Sequence, residues 1–159
     1  MVVAGSNISG ESSLRMNRAS KNYGIAQTLL LCAYAAIFFF LPGTLLIAPV
    51  PKPGIVLCVI GLVIMLLAFL SIRGVVQIEP EPKAEGHLIS SGIYKYIRHP
   101  IYTGMVILVC GLFLRKPALF ITIASAVVIV FLIVKTRFEE KLLQEKYSNY
   151  AQYKKQTIW

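Results

Sequence analysis

Residues 100–134 read PIYTGMVILVCGLFLRKPALFITIASAVVIVFLIV, two apolar runs separated by Arg115-Lys116-Pro117. Proline removes a helical hydrogen bond, so the runs Pro100–Leu114 and Ala118–Val134 predict two helices joined by a tight turn. A helix over the first run is only about 22 Å long, which is short for a hydrocarbon core of ~30 Å. The stretch therefore predicts a short antiparallel hairpin that brings residue 100 beside the region near residue 135.

Two further apolar runs precede this hairpin, Ile25–Ile47 and Ile55–Ile72. Each is long enough to cross a bilayer, and the first contains no charged residue. A secretory signal has a shorter apolar region, so the first run predicts an uncleaved transmembrane helix. Pro49, Pro51 and Pro53 predict a short loop that separates the two runs. The fold expected is an all-α integral membrane protein with about four transmembrane helices.

The composition supports a chain embedded in a membrane. The 159 residues are 57% hydrophobic and 14% charged, whereas soluble domains carry about 25% charged residues. The net charge of +9 comes from basic residues that flank the apolar runs without forming a stripe of their own, which favours a membrane over nucleic acid as the partner. The three cysteines are isolated from one another, which suggests neither a disulfide framework nor a metal site.

The polar segments predict three regions and an orientation. Residues 1–24 are expected to be a flexible cytosolic tail, residues 25–72 two transmembrane helices, and residues 73–159 the region that carries the chemistry. With the N-terminus inside, 13 of the 16 basic residues lie on the inner side, so both termini are expected in the cytosol. The membrane would be the inner membrane of a bacterium or the endoplasmic reticulum of a eukaryote.

The last part of the chain, Glu139 to Lys155, has the pattern of a charged amphipathic helix on the cytosolic side. The residues expected on its inward face are Leu142, Leu143, Tyr147, Tyr150 and Tyr153. Residues 73–98 mix charged residues with prolines, so they are expected to form an ordered cytosolic loop or an interfacial segment.

The residues around Arg98-His99-Pro100 could bind an anion. Pro100 suits the first turn of a helix, which places His99 at the N-cap, next to unpaired N–H groups and a partial positive charge. Arg98 adds a fixed positive charge, and Tyr94 and Tyr102 add aromatic faces. That set suits a ligand with an anionic group and a flat ring. Alternatively, these basic and aromatic residues are interfacial anchors, and Glu139-Glu140 is only a solvated first helical turn.

The spacing of these residues resembles a known family. Gly92-x-Tyr94-x-x-x-Arg98-His99-Pro100-x-Tyr102-x-Gly104, followed by Arg137-x-Glu139-Glu140 and three tyrosines at residues 147, 150 and 153, is similar to isoprenylcysteine carboxyl methyltransferases. The wider group includes phospholipid N-methyltransferases. The resemblance covers roughly residues 75–159.

This resemblance implies S-adenosylmethionine as the cofactor and a set of site residues. The cofactor contacts it implies are Gln77, His87, Leu88, Ile89, Tyr94, His99, Pro100, Ile101, Tyr102 and Glu139. The catalytic candidates are Arg98, His99, Arg137 and Glu140. The family carries a basic residue that faces the substrate four positions before the first glutamate; arginine is typical there, whereas this chain has Lys135, with Arg137 two residues on. No metal is expected.

The acceptor implied is lipid-like or prenylated; a carboxylate of the isoprenylcysteine type is expected, and a phospholipid amine is the alternative. A carboxylate acceptor needs no general base, because charge is neutralised as the methyl group moves. An amine acceptor needs a base, for which Glu140 or His99 are candidates. Two other interpretations remain, a sterol-type reductase and a membrane binding protein that keeps the fold without catalysis. The oligomeric state is also open, and membrane lipids are the surroundings expected.

Overall fold

A computed structural model describes residues 6–41, 46–78, 90–147 and 149–158 of the chain. The helices are α1 (Ser6–Phe40), α2 (Pro51–Ile78), α3 (Pro100–Arg115), α4 (Leu119–Lys146) and α5 (Tyr150–Gln156), and a short 3-10 helix covers Gly92–Lys95. By their internal contacts the residues fall into two compact units, Met1–Leu41 and Pro42–Trp159.

Long apolar helices dominate the described part of the chain. Lys21–Phe40, Pro51–Ile72 and Leu119–Glu145 are each long and apolar enough to cross a membrane, and α3 is a shorter apolar helix. The large apolar side chains of α2 are mostly exposed, as for Val59, Leu62 and Leu66. Such faces are expected where lipid replaces water as the solvent. The prediction of an all-α membrane protein is confirmed, and the count of four spans stays a prediction.

The first helix differs from the prediction at both ends. It begins by Ser6 within the expected flexible tail, because a helix already formed extends without a new nucleation step and no proline interrupts residues 6–40. It ends at Phe40, seven positions before the predicted Ile47. Pro42 follows in the sequence, and a proline disfavours helical backbone in the residue before it.

The second helix is longer than predicted. Pro51 and Pro53, which were expected to lie in a loop, form its first turn, where a missing N–H leaves no hydrogen bond unmade. Its C-terminal end is at Ile78, beyond the predicted Ile72, so the first residues of the expected cytosolic loop are helical. The Arg73-Gly74 pair therefore does not end this helix.

Two pairs of glycines bring α2 and α3 into antiparallel backbone contact. A Cβ atom added at Gly61 would lie 2.6 Å from the Gly104 carbonyl oxygen, and one at Gly111 would lie 2.7 Å from the Gly54 carbonyl oxygen. Small residues of this kind let membrane helices approach closely. Since residue 54 faces residue 111 and residue 61 faces residue 104, the N-terminus of α3 lies toward the C-terminal half of α2.

The helical hairpin of α3 and α4 is confirmed, but its second arm is not short. The turn is capped where the Lys116 N–H donates to the carbonyls of Leu112 and Phe113. The second arm, α4, runs unbroken through the Lys135-Thr136-Arg137 segment to Lys146, because these residues are compatible with a helix. The amphipathic helix predicted over 139–155 is thus wrong as one element: its first half belongs to α4, and α5 is separate.

Candidate active site

The N-terminus of α3 is the centre of the candidate site. His99 is the N-cap residue and Pro100 the first helical residue, as the sequence predicts. The His99 side chain makes no capping hydrogen bond, so the first N–H groups of α3 keep their capacity to bind an anion. The His99 carbonyl accepts hydrogen bonds from the Thr103 backbone N–H at 2.9 Å and from the Thr103 hydroxyl at 3.1 Å. The first turn is therefore firmly formed.

One face of α4 supplies the facing side of the site. Its buried apolar residues, Ile121, Val128 and Leu132, follow helical spacing, and the same face continues into the buried polar residues Lys135 and Thr136. Lys135 is only 8% exposed although it is charged. An apolar stripe that ends in a buried lysine brings that cation to the N-terminus of α3.

Lys135, Glu139 and Tyr102 form one cluster. The Tyr102 hydroxyl donates to Glu139 Oε1 at 2.7 Å, and Lys135 Nζ lies 3.7 Å from the same oxygen. Lys135 Nζ also lies over the Tyr102 ring, 5.1 Å from its centroid, within the range of a cation–π contact. Burial raises the pKa of Tyr94, and the negative charge of Glu139 adds to this rise.

His99 stacks on this cluster and has an unmatched ring nitrogen. Its ring lies nearly parallel to the Tyr102 ring, with centroids 5.8 Å apart. His99 Nε2 is buried, makes no hydrogen bond within the described part of the chain, and lies 3.7 Å from Glu140 Oε1. Burial lowers the pKa of His99; the Glu139 and Glu140 charges oppose this, and Arg98 adds to it. His99 is therefore held neutral near pH 7.

Arg98 has a structural setting rather than an open one. Its Nε donates to Glu140 Oε1 at 3.0 Å, and its Nη1 donates to the carbonyls of Thr157 at 2.8 Å and Lys154 at 2.9 Å. The second Glu140 oxygen accepts from Lys154 Nζ at 2.6 Å. The sequence predicted that Arg98 adds a fixed positive charge for an anion, whereas in the structure its guanidinium pairs with Glu140 and with the carbonyls of Lys154 and Thr157.

The remaining predicted residues divide into three groups. Pro100 is buried and Ile101 partly buried, both in the first turn of α3. Arg137 is exposed, two positions from both Lys135 and Glu139, which puts it roughly 200° around α4 from each. The structure therefore does not bring Arg137 to the cluster. His87, Leu88, Ile89 and the side chain of Gln77 lie outside the described residues.

The sequence reasoning missed the supports of the segment before His99. Gly92 has a positive φ of 59°, and an added Cβ would collide with Ser71 of α2. The Ser71 hydroxyl accepts the Ile93 N–H at 3.3 Å and donates to the Leu67 carbonyl at 2.7 Å. The only signal in the sequence was the glycine itself, since glycine adopts positive φ at little cost.

The apolar helices indicate a membrane protein. The tyrosines, the histidine and the two glutamates at the N-terminus of α3 make the end of the helical hairpin a candidate site for a polar ligand. The sequence profile of the phospholipid methyltransferase family matches residues 51–150, more than half of the chain. The chain therefore belongs to the phospholipid methyltransferase family and is a membrane methyltransferase. Neither a curated protein nor a solved structure matches it.

Proposed function

We propose that the protein transfers a methyl group from S-adenosylmethionine to a lipid-like acceptor, and that the acceptor is a carboxylate of the isoprenylcysteine type. The observation that carries the proposal is the convergence of His99, Tyr102 and Glu139 at the N-terminus of α3, which the side chain of its N-cap residue, His99, does not cap. The basic residues that flank the helices support a site on the cytosolic face.

The residues present fit the cofactor. S-adenosylmethionine has a carboxylate, an ammonium, ribose hydroxyls, a flat base and a sulfonium. The N-terminus of α3 suits the carboxylate, Glu139 is an acceptor for the ammonium or the hydroxyls, and the rings of Tyr94 and Tyr102 suit the base and the sulfonium. His99 Nε2, which is buried without a hydrogen-bond partner among the described residues, offers one more polar contact.

The chain's own residues favour a carboxylate acceptor. When bound, S-adenosylmethionine supplies an electrophilic methyl group. Lys135 is a buried cation at the end of an apolar stripe, so it can attract a carboxylate at the end of an apolar tail. Lys135 and His99 are buried, and an acceptor carboxylate that is less solvated there would be more reactive. With the cofactor bound, the carboxylate oxygen would bond to the methyl carbon as the bond from that carbon to sulfur breaks and S-adenosylhomocysteine leaves, so the acceptor would not need to lose a proton.

An amine acceptor is the second candidate. The family name, phospholipid methyltransferase, points to it, and His99 offers the chemistry. A neutral, buried imidazole whose Nε2 makes no hydrogen bond among the described residues can take the proton that an ammonium must lose before it reacts. The two candidates differ in the bond formed, an ester in one case and an N-methyl group in the other.

Titration of the folded protein in detergent with S-adenosylmethionine tests the proposed site. We expect wild type to bind, and His99→Ala and Glu139→Ala each to weaken binding at least tenfold, about 1.4 kcal/mol. Glu145→Ala is the matched control, because Glu145 is an exposed glutamate on the same helix. No binding by wild type, or equal binding by all variants, would overturn the assignment.

The two acceptors are separated by the alkali stability of the product. Membranes that contain the protein are incubated with S-adenosylmethionine labelled in its methyl group, and the labelled lipid is then treated with mild base. An ester releases the label as volatile methanol, as the carboxylate proposal expects. Label that stays non-volatile after the base treatment identifies an amine acceptor and contradicts the carboxylate proposal.

A further inference from the structure

We infer that residues 150–158, the C-terminal strap, act as a positioning element that fixes Tyr94 and His99 in the methyltransferase site. The inference rests on the proposed function, because those two residues belong to the proposed cofactor contacts. The strap begins more than 50 positions after Arg98 in the sequence, so no local interaction brings the two segments together.

The backbone of the strap is paired with the segment just before His99. The Arg98 N–H donates to the Ile158 carbonyl at 3.1 Å, and the Ile158 N–H donates to the Tyr96 carbonyl at 2.9 Å. These two bonds make a parallel bridge between Ile97 and Ile158. The residue next to the N-cap of α3 is therefore held through its own backbone.

Side chains reinforce this pairing at three points. Arg98 Nη1 donates to the carbonyls of Lys154 and Thr157, which lie at the end of α5. Lys154 Nζ donates to the Glu140 carboxylate that Arg98 also contacts. Carbonyls at a helix C-terminus carry a partial negative charge, so one guanidinium can both donate hydrogen bonds to these two carbonyls and balance their charge. Arg98, the residue that precedes His99, thus links α4 to the strap.

Tyr153 ties the strap to Tyr94. Its hydroxyl donates to the Tyr94 carbonyl at 2.6 Å, and its side chain is buried. The 3-10 helix that contains Tyr94 also contacts Ser71 of α2, whose hydroxyl accepts the Ile93 N–H. A four-residue helix cannot hold a fixed shape by itself, so Tyr94 takes its position from these two contacts.

Hydrogen–deuterium exchange tests the strap without reference to any ligand. A chain that ends after Gln156 lacks residues 157–159, and with them the Ile158 backbone groups that pair with Tyr96 and Arg98. We expect the amides of residues 96–98 in this protein to exchange at least about tenfold faster than in wild type. Tyr153→Phe should accelerate exchange of residues 94–96 less strongly. Unchanged exchange in both proteins would overturn the inference whatever the function.

Kinetics distinguish positioning from general stability. Tyr153→Phe should raise KM for S-adenosylmethionine about threefold to tenfold with little change in kcat, because the reacting groups remain while their fixed position is lost. Tyr96→Phe removes the same hydroxyl from a side chain that is 63% exposed, and should match wild type. Arg98→Lys keeps the positive charge but lacks the forked guanidinium that reaches several acceptors, so its KM should also be higher than that of wild type.

The outcomes separate the two claims. A wild type that neither binds nor uses S-adenosylmethionine contradicts the proposed function and leaves exchange as the test of the strap. If wild type is an active methyltransferase but Tyr153→Phe has the same KM for S-adenosylmethionine as Tyr96→Phe, the strap does not position Tyr94 and His99.

Discussion

At the scale of single residues, the polar groups of the site are matched unevenly. The Glu139 carboxylate contacts Tyr102 and Lys135, and the Glu140 carboxylate contacts Arg98, Lys154 and, at 3.7 Å, His99. Three buried atoms make no hydrogen bond among the described residues: His99 Nε2, Thr136 Oγ1 and Tyr150 Oη. Burial, aided by the Glu140 charge, raises the pKa of Tyr150 to about 12, so its hydroxyl stays protonated. Unmatched buried atoms are destabilising unless a ligand or water satisfies them.

His99 predicts a particular dependence of stability on pH. Because burial lowers its pKa in the folded protein, the unfolded chain binds the proton more readily, and stability is lost as the pH falls below about 6.5, the ordinary histidine value. Thermal unfolding in detergent between pH 7.5 and 5 should show a steeper loss for wild type than for His99→Asn. Parallel losses would mean that His99 is not held neutral.

At the scale of secondary structure elements, the sequence predicted the helices it marks with clear signals. Pro100 and the Arg115-Lys116-Pro117 turn set both ends of α3, and the apolar runs located α1 and α2. The α4 boundary was missed, because charge alone does not end a helix and no glycine or proline follows Val134. The first-turn prolines of α2 were misread because proline is both a breaker and a good first residue.

Some contacts of the candidate site could likewise be predicted from the sequence, and others could not. The hairpin turn predicted that the N-terminus of α3 faces the region near residue 135, and the contact between Tyr102 and Glu139 confirms it. Arg98 meets carbonyls of Lys154 and Thr157, more than 50 positions away. Pairing at such a distance follows from tertiary packing, which no short spacing encodes.

The glycine contacts between α2 and α3 predict sensitivity to a single methyl group. Gly61→Ala or Gly104→Ala should lower stability by about 1–3 kcal/mol, because the added Cβ meets backbone, which cannot move aside as a side chain does. Gly24→Ala is the control, since nothing lies within 4 Å of a Cβ there and alanine favours a helix. Thermal unfolding in detergent measures both. A Gly61→Ala protein as stable as Gly24→Ala would contradict this packing.

At the scale of the whole molecule, the described part of the chain combines apolar helices with the polar cluster of Tyr102, Lys135 and Glu139. In the second unit the apolar faces of α2 and α4 stay exposed, while charged partners gather around the N-terminus of α3. Such a division suits an acceptor with an apolar tail, which reaches the cluster from the lipid, and a polar cofactor, which reaches it from water. Membership of the phospholipid methyltransferase family agrees with this division.

The most direct measurement of the central claim is transfer of labelled methyl groups from S-adenosylmethionine to lipid by the purified protein, in phospholipid vesicles that also contain a prenylated cysteine with a free carboxylate. We expect wild type and Glu145→Ala to label lipid at equal rates, and Glu139→Ala to lose at least about 90% of that rate, as a loss of about 1.4 kcal/mol predicts. No labelling by wild type, or equal labelling by Glu139→Ala, would contradict the account.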